Sequence, residues 1–246
     1  MPHLKPLYQL EQWEEKVAQN MPDLSRSQAK MLALWSLGVI FTQSCSTSKI
    51  ALALGLLLEQ KPNTLRQRLR EFYVEKERKK GEHRQELEVS HCFEPLLRWI
   101  LSLWHGDCLT LALDATTLND RFSVLAICVI WGKCAIPVAW RILEGNKKSS
   151  WKKEWLALLP LLGPAIPQTM KTIVCADRGL YAIWLFQAIQ KEGWHPYLRV
   201  KKEGTFKRSG GKVFQPLSAL CNVGSAQMYR GTAFKTLKLE CTLLAC

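Results

Sequence analysis

The first hundred residues carry apolar positions at the spacing of α-helices. Apolar side chains recur every three or four positions, and Ser or Pro residues stand where the helices should begin. The pattern predicts helices over residues 29–41, 49–58 and 64–78. A densely charged segment, 75–88, follows them and is typical of a mobile connector. We therefore expect residues 1–105 to form a helical region.

Two of these helical segments resemble a pair joined by a tight turn. The stretches TSKIALALGLLL and NTLRQRLREFYVE are separated by EQKP. In the second stretch an apolar side can face a core, through Leu65, Leu69, Phe72 and Tyr73. The basic residues point elsewhere, as in a helix that reads a DNA groove or contacts phosphates: Arg66, Arg68 and Arg70. A merely solvated charged face is the alternative, and the sequence leaves both open.

After Gly106 the pattern changes to that of strands. The runs CLTLALDA, FSVLAICVIWG and CAIPVAWRIL are joined by short connections, which indicates an antiparallel meander. A helical spacing over 151–162, the strand KTIVCAD, a helix over 181–190 and the strand HPYLRVKK then indicate a βαβ crossover. The predicted fold class is α/β, with a mixed sheet in which the first strand can lie beside the fourth and parallel to it.

Two acids stand at the ends of those strands. Asp114 follows the apolar run 109–113, and Asp177 ends KTIVCAD. Ligands collect in the crevice beyond the carboxyl ends of such strands. Two carboxylates brought together there repel each other unless a cation lies between them, so Asp114 and Asp177 predict a site for a divalent metal. For Asp177 the competing interpretation is that it caps the next helix or shapes a turn.

The charge balance favours a polyanionic partner. Thirty-four Lys and Arg against 21 Asp and Glu give a net charge of +13 and a pI near 9.4. Charge that serves only solubility is the alternative.

Basic residues cluster in RVKKEGTFKRSGGK, residues 199–212, where Glu203 is the only acid. We interpret this segment as a clamp on the DNA backbone, with Phe206 available for stacking on bases. The residues assigned to it are Arg199, Lys201, Lys202, Lys207 and Arg208. Lys147 and Lys148, between the third strand and its helix, are lesser candidates, and a solvated loop is again the alternative.

Other classes of protein receive little support. The nine Cys residues form no C-x-x-C motif, and we interpret them as reduced and intracellular; no His and Cys spacing indicates a zinc site. The apolar run 31–41 is too short to span a bilayer, and the N-terminus lacks a secretory signal, so no membrane association is expected.

The blocks LALDATTL and IVCADRGLY resemble the first two acid-bearing blocks of the DDE transposases of bacterial insertion sequences. The resemblance covers roughly residues 108–202. It implies an RNase H-like catalytic core over 106–202 and, as in the subgroup with a Tyr-Arg-Glu-Lys signature, a β-rich insertion over 203–246. The helical region 1–105 would then bind DNA.

The resemblance also implies a chemistry. Asp114 would bridge two Mg²⁺ ions and Asp177 would hold one, with Mn²⁺ able to replace Mg²⁺. The activity would be metal-dependent cleavage and transfer of DNA strands in transposition and recombination. The partners would be double-stranded DNA, as element ends and target, in the bacterial cytoplasm at the nucleoid. A homodimer is an open alternative.

The sequence departs from the family in one respect. No Y-x-x-R-x-x-x-E-x-x-x-x-x-x-K spacing occurs, and Glu203 and Glu240 lack the helical setting of the family's third acid. We expect a truncated, catalytically incomplete copy. The alternative is a non-catalytic DNA-binding remnant that occupies DNA or interferes with full-length transposase.

A different enzyme class, the haloacid-dehalogenase phosphatases, also places an Asp after the first strand of an α/β sheet. The motif of that class needs a second Asp two residues later. This chain has Thr116 at that position, which argues against the class.

Overall fold

The structure, a computed structural model, describes residues 6–79, 85–145, 151–220 and 226–245. The chain divides into two compact units, which are described separately. The first comprises Met1–His105 with Leu161–Pro167, and the second comprises Gly106–Pro160 with Gln168–Cys246.

The first unit contains five α-helices in its described part. They are α1 Pro6–Asn20, α2 Arg26–Thr42, α3 Thr47–Leu58, α4 Pro62–Tyr73 and α5 Phe93–Ser102. A capping box begins α2, because the Ser25 side chain accepts from the Gln28 N–H and the Gln28 side chain accepts from the Ser25 N–H. The predicted helices are thus present, although α4 ends at Tyr73 and not at residue 78.

The early end of α4 has a physical reason. Val74 is extended, and only a short 3-10 helix, Lys76–Arg78, follows it. Beyond Val74 the side chains are charged, so a longer helix would have no apolar face to bury, and helices of this length depend on such packing.

One hydrophobic core of the first unit lies mainly among α2, α3 and α4. Its fully buried side chains include Leu34, Ile50, Leu54, Leu65 and Leu69, with Trp35 and Phe72 partly buried against them. The prediction that Tyr73 faces this core is wrong, because Tyr73 is 58% exposed. It stands at the end of α4 and meets the ring of Trp35 edge-on at 5.6 Å between centroids.

Close contact between α2 and α3 depends on Gly38. A Cβ atom on Gly38 would lie 2.4 Å from Cγ2 of Ile50, which is inside van der Waals contact. In the described residues no single helix is long and apolar enough to cross a membrane; α2 and α3 together pass that test of length and composition, but they are bent by 97°.

The second unit contains a five-stranded mixed sheet. Its strands are β1 Cys108–Leu118, β2 Phe122–Trp131, β3 Cys134–Glu144, β4 Lys171–Ala176 and β5 His195–Leu198, in the order β3-β2-β1-β4-β5. β1 to β3 form an antiparallel meander, whereas β1 pairs with β4, and β4 with β5, in parallel. This strand order confirms the predicted fold class.

Helices α6, Lys152–Leu158, and α7, Ile183–Lys191, belong to the same unit. They bury large side chains, among them Trp155, Leu158, Leu185 and Ile189. The predicted helix over 151–162 is shorter in the structure and continues as a 3-10 helix, Leu159–Ala165. Pro160 and Pro164 explain this change, since proline lacks the N–H that an α-helix needs.

The β-rich segment forms a second, antiparallel sheet. Its strands are β6 Thr205–Arg208, β7 Gln215–Pro216, β8 Gln227–Ala233 and β9 Leu239–Ala245, in the order β7-β6-β8-β9. Phe206, Leu217 and Leu220 form its core. Phe206 is only 1% exposed, so the expectation that its ring is available for stacking on bases is wrong. Successive side chains alternate between the two faces of a strand, and Phe206 takes the inner one.

Candidate metal and nucleic-acid site

Asp114 and Asp177 occupy matching positions on adjacent parallel strands. The last pair in the register of β1 and β4 is Leu113 with Ala176, and each acid is the next residue of its chain segment. Neighbouring strands lie about 4.8 Å apart, so the two backbones are close. Both acids are exposed. The strand order that the sequence predicts is therefore the feature that brings them together.

The buried residues Leu113 and Ala176 immediately precede the two acids. Alternation along β1 turns Asp114 to the face opposite Leu113. Asp177 is exposed one residue beyond the end of β4, so a site built from both carboxylates would lie where the pairing of the two strands ends.

Each carboxylate is oriented by a donor two residues further along the chain. Thr116 donates its hydroxyl hydrogen to Oδ2 of Asp114 over 2.6 Å. The Gly179 N–H donates to Oδ1 of Asp177 over 2.8 Å, and the Leu180 N–H donates to the Asp177 carbonyl over 3.2 Å. The turn role considered for Asp177 is therefore present, and it uses one of the two carboxylate oxygens.

The acids are held by different kinds of backbone. β1 continues past Asp114 to Leu118, and Asp114 pairs with Ala126 of β2. β4 ends at Ala176, so Asp177 begins a turn. Asp114 is fixed in a ladder, while Asp177 belongs to a loop that precedes α7.

Two cysteine thiols lie in the row of the sheet next to the acids. Cys128 of β2 and Cys175 of β4 both pair with Ala112, which lies two residues before Asp114. Burial raises the pKa of the Cys128 thiol, and the negative charge of Asp114 raises this pKa further. Burial also raises the pKa of the Cys175 thiol. Both thiols are consequently protonated at neutral pH and do not compete as thiolate ligands.

The donor set suits a hard divalent cation. Carboxylate oxygens are the ligands that Mg²⁺ takes, and the hydrogen bonds described above leave one oxygen of each carboxylate for a metal. No third His, Cys, Asp or Glu joins them as a metal-binding group anywhere in the described ranges. The described residues therefore offer two carboxylates where the pairing of β1 with β4 ends, and no larger metal-binding group.

The basic residues assigned to DNA fall into separate places. On α4, Arg66 and Arg70 are exposed four positions apart and Arg68 is half-buried. This helix follows α3 after a three-residue turn that begins with Glu59 in the left-handed region, at φ 52°. Lys147 and Lys148 lie outside the described residues.

The basic segment 199–208 lies on the second unit. Arg199, Lys201, Lys202 and Arg208 are exposed, and Lys207 is half-buried. Three of the cations stand over aromatic rings: Lys201 at 5.9 Å from the Tyr181 centroid, Lys207 at 5.6 Å from Phe214 and Arg208 at 4.1 Å from Tyr229. Tyr181, Phe214 and Tyr229 are thus the rings that contact cations of this segment.

Sequence reasoning missed the donors that orient the acids. Thr116 shares the face of Asp114 because it follows at the strand period of two, and this spacing was a usable signal. Gly179, two residues after Asp177, is a typical partner in an Asp turn, which is also readable from Asp-Arg-Gly. The positions of Cys128 and Cys175 beside Ala112 could not be predicted from the sequence, because they depend on the register of three strands.

Comparisons with known proteins give structural neighbours only. No protein-family model matches the chain, and no curated protein sequence matches it. One similar solved structure is the catalytic domain of Mos1 mariner transposase, with 13% identity and a TM-score of 0.26 over 48% of this chain and 62% of that chain. Another is the Mos1 strand transfer complex, with 12% identity and a TM-score of 0.25 over 68% of this chain and 56% of that chain. The chain thus spans less than two thirds of either neighbour.

Proposed function

We propose that the chain is a DNA-binding protein of the DDE transposase type, in which Asp114 and Asp177 hold a divalent metal ion. The observation that carries the proposal is the parallel pairing of β1 with β4, whose last pair, Leu113 with Ala176, is followed in each segment by one of the two acids. The sequence resemblance to insertion-sequence transposases, in LALDATTL and IVCADRGLY, supports the same proposal.

The proposal gives the acidic, the hydrogen-bonding and the basic residues of the second unit different roles. Asp114 and Asp177 would hold Mg²⁺, or Mn²⁺ in its place, and the bound ion would polarise a phosphodiester and lower the pKa of an attacking water. Thr116 and the Gly179 N–H each donate to one oxygen of a carboxylate, which would leave the other oxygen available to hold the ion and would restrain rotation of the carboxylate. The basic residues of the segment 199–208 would bind the DNA backbone, namely Arg199, Lys201, Lys202, Lys207 and Arg208.

We propose further that this chain alone is defective in strand cleavage. A two-ion mechanism places one ion on each side of the scissile phosphate, which normally requires a further acidic ligand. Within the described residues none joins the pair. Glu240 lies on β9, where it accepts a hydrogen bond from the hydroxyl of Thr232.

Non-catalytic DNA binding is the second candidate function. The cation clusters on α4 and at 199–208 favour it, since they provide phosphate contacts with or without a complete metal site. On this alternative the protein occupies DNA or interferes with a full-length transposase.

Metal binding tests the proposal directly. Electron paramagnetic resonance of Mn²⁺ in the presence of the full chain should show bound ion, and Asp114→Asn and Asp177→Asn should each lose most of it. Asp107→Asn is the matched control, because Asp107 is an exposed acid that immediately precedes β1. Equal Mn²⁺ binding by all three variants would refute a metal site at the acid pair and leave DNA binding as the function.

A further inference from the structure

A groove of about 630 Å³ lies in the second unit, along β5 and β9. Its size falls within the range of small-ligand sites, which is roughly 300–1,000 Å³. Its lining includes two long runs of consecutive residues, 196–202 and 241–245, and a shorter one, 204–206. The start of α7 and the inner side of the second sheet complete its walls.

The lining shows that the groove follows the edge of β9. Successive residues of a strand point to opposite faces, so a cavity over one face contacts every second residue. Here five residues in succession, 241–245, line the groove, which places it beside the strand and not over either face. β9 is the outermost strand of its sheet, and its outer edge pairs with no strand in the described part of the chain.

An unpaired edge is a template for another strand, because its N–H and C=O groups remain available for hydrogen bonds. β9, with the sequence LECTLLA, contains no proline that would prevent such pairing. β5 is also an edge strand, but Pro196 lies in it and lacks an N–H. Of the two edges along the groove, that of β9 is the suitable one.

The groove is apolar inside and cationic at its rim. Phe186, Leu198, Phe206, Leu217 and Leu243 are among its apolar lining residues. Among the described residues four cations also line it, namely Arg178, Arg199, Lys201 and Lys202, and no described Asp or Glu does. The acids Glu203 and Glu240 adjoin lining residues in sequence but do not line the groove. An occupant must therefore combine apolar side chains with negative charge.

One rim cation is held in place by aromatic rings. The ammonium group of Lys201 lies 5.9 Å from the centroid of Tyr181, and Tyr181 stacks on Phe234 at 6.3 Å with an interplanar angle of 15°. A cation over such a ring is restrained by the ring's negative face. Part of the rim charge is thus positioned before anything binds.

We propose that this groove binds an extended acidic peptide segment of a partner protein, which adds to β9 as a further strand. Backbone hydrogen bonds to the β9 edge would provide affinity, and the four cations would select acidic residues that flank an apolar centre. A second copy of this chain is disfavoured, because each copy brings the same four cations and a net charge of +13. A DNA duplex would use the cations but neither the apolar lining nor the backbone edge.

The proposal goes beyond the proposed function and has a consequence for it. Arg199, Lys201 and Lys202 belong to the groove and also to the segment assigned to DNA. An acidic peptide in the groove and DNA on that segment would therefore compete, and such a peptide would act as an inhibitor of DNA binding at this surface.

Fluorescence anisotropy with the full chain tests the proposal. The probe is a labelled peptide, Glu-Glu-Val-Thr-Val-Thr-Val-Glu-Glu, and two matched peptides have Lys in place of Glu or carry N-methyl groups on alternate backbone nitrogens. We expect the first peptide to bind, and each matched peptide to bind at least about tenfold more weakly. Leu244→Arg should block binding, since Leu244 lines the groove and is 44% exposed.

Met228→Arg is the control for that variant. Met228 pairs with Leu244 across β8 and β9, is 73% exposed and does not line the groove. Equal effects of both variants would overturn the proposal, as would equal binding of the N-methylated peptide. A nine-nucleotide oligo(dT) provides a further test. If the oligonucleotide binds, Leu244→Arg blocks its binding and the peptide does not bind, the groove is a nucleic-acid site. That result would also overturn the proposal.

Duplex DNA binding, measured on the same preparations, separates the two proposals. If the chain binds duplex DNA in a salt-dependent way but does not bind the peptide, the peptide site is refuted and the proposed function is not. Peptide binding without DNA binding would refute the proposed function and leave the peptide site intact.

Discussion

Replacing four basic residues of the segment 199–208 should flatten the salt dependence of DNA binding. The residues are Lys201, Lys202, Lys207 and Arg208, of which three are exposed and Lys207 is half-buried. For duplex DNA, log K falls with log salt concentration by roughly 0.9 for each phosphate that a cation neutralises. If each residue contacts one phosphate, changing all four to Ala lowers the slope by at most about 3.6.

The structure divides this effect into two parts. Lys201 and Lys202 line the groove, whereas Lys207 and Arg208 lie on β6 beside Phe214 and Tyr229. Each pair should account for about 1.8 of the slope. Contacts with aromatic rings are worth only about 0.5–1 kcal/mol at exposed sites, so they do not prevent Lys207 and Arg208 from turning to phosphates.

The measurement is fluorescence anisotropy of a labelled duplex at salt concentrations between 50 and 200 mM. Over this fourfold range the wild-type affinity should fall about a hundredfold more than that of the four-residue variant. A control with the same net charge replaces four exposed lysines elsewhere in the second unit, Lys133, Lys153, Lys171 and Lys191. An unchanged slope in the test variant, or the same decrease in the control, would refute a DNA clamp at 199–208 and favour a solvated surface.

Three further predictions concern the acids, the helical core and the thiols. The purified chain should show no robust Mg²⁺-dependent cleavage of DNA; cleavage that Glu240→Ala abolishes would show that Glu240 completes the site. Gly38→Ala should lower the free energy of unfolding by about 1–3 kcal/mol in urea titrations, because the added Cβ meets Ile50, and an unchanged midpoint would contradict this packing. Asp114→Asn should lower the raised pKa of Cys128 and so speed its alkylation at pH 8; an unchanged rate would show that Asp114 does not act on this thiol.

The sheet was largely predictable from the sequence because its strands alternate cleanly. Leu109, Leu111 and Leu113 are all buried, as the run CLTLALDA indicates, and the short connections required a meander. The neighbourhood of β1 and β4 then followed from topology. These local and topological rules account for most of the candidate site.

The errors arose where tertiary contacts decide the outcome. Phe206 stands among basic residues, a pattern that predicts exposure, yet the pairing of β6 with β8 turns it into the core of the second sheet. The groove beside β9 was not predictable for the same reason, since its walls come from segments far apart in sequence. Sequence patterns specify elements, but the arrangement of two sheets depends on packing that no local pattern contains.

The pairing of β1 with β4 also has a consequence for the order of folding. The meander of β1, β2 and β3 joins neighbouring segments, whereas Cys108 pairs with Lys171 roughly sixty positions later. Contacts between distant segments require closure of a large loop and are slow to form. Pulse-labelling hydrogen exchange during refolding should therefore show protection of β2 and β3 before β4, with the two acids brought together only in the later step.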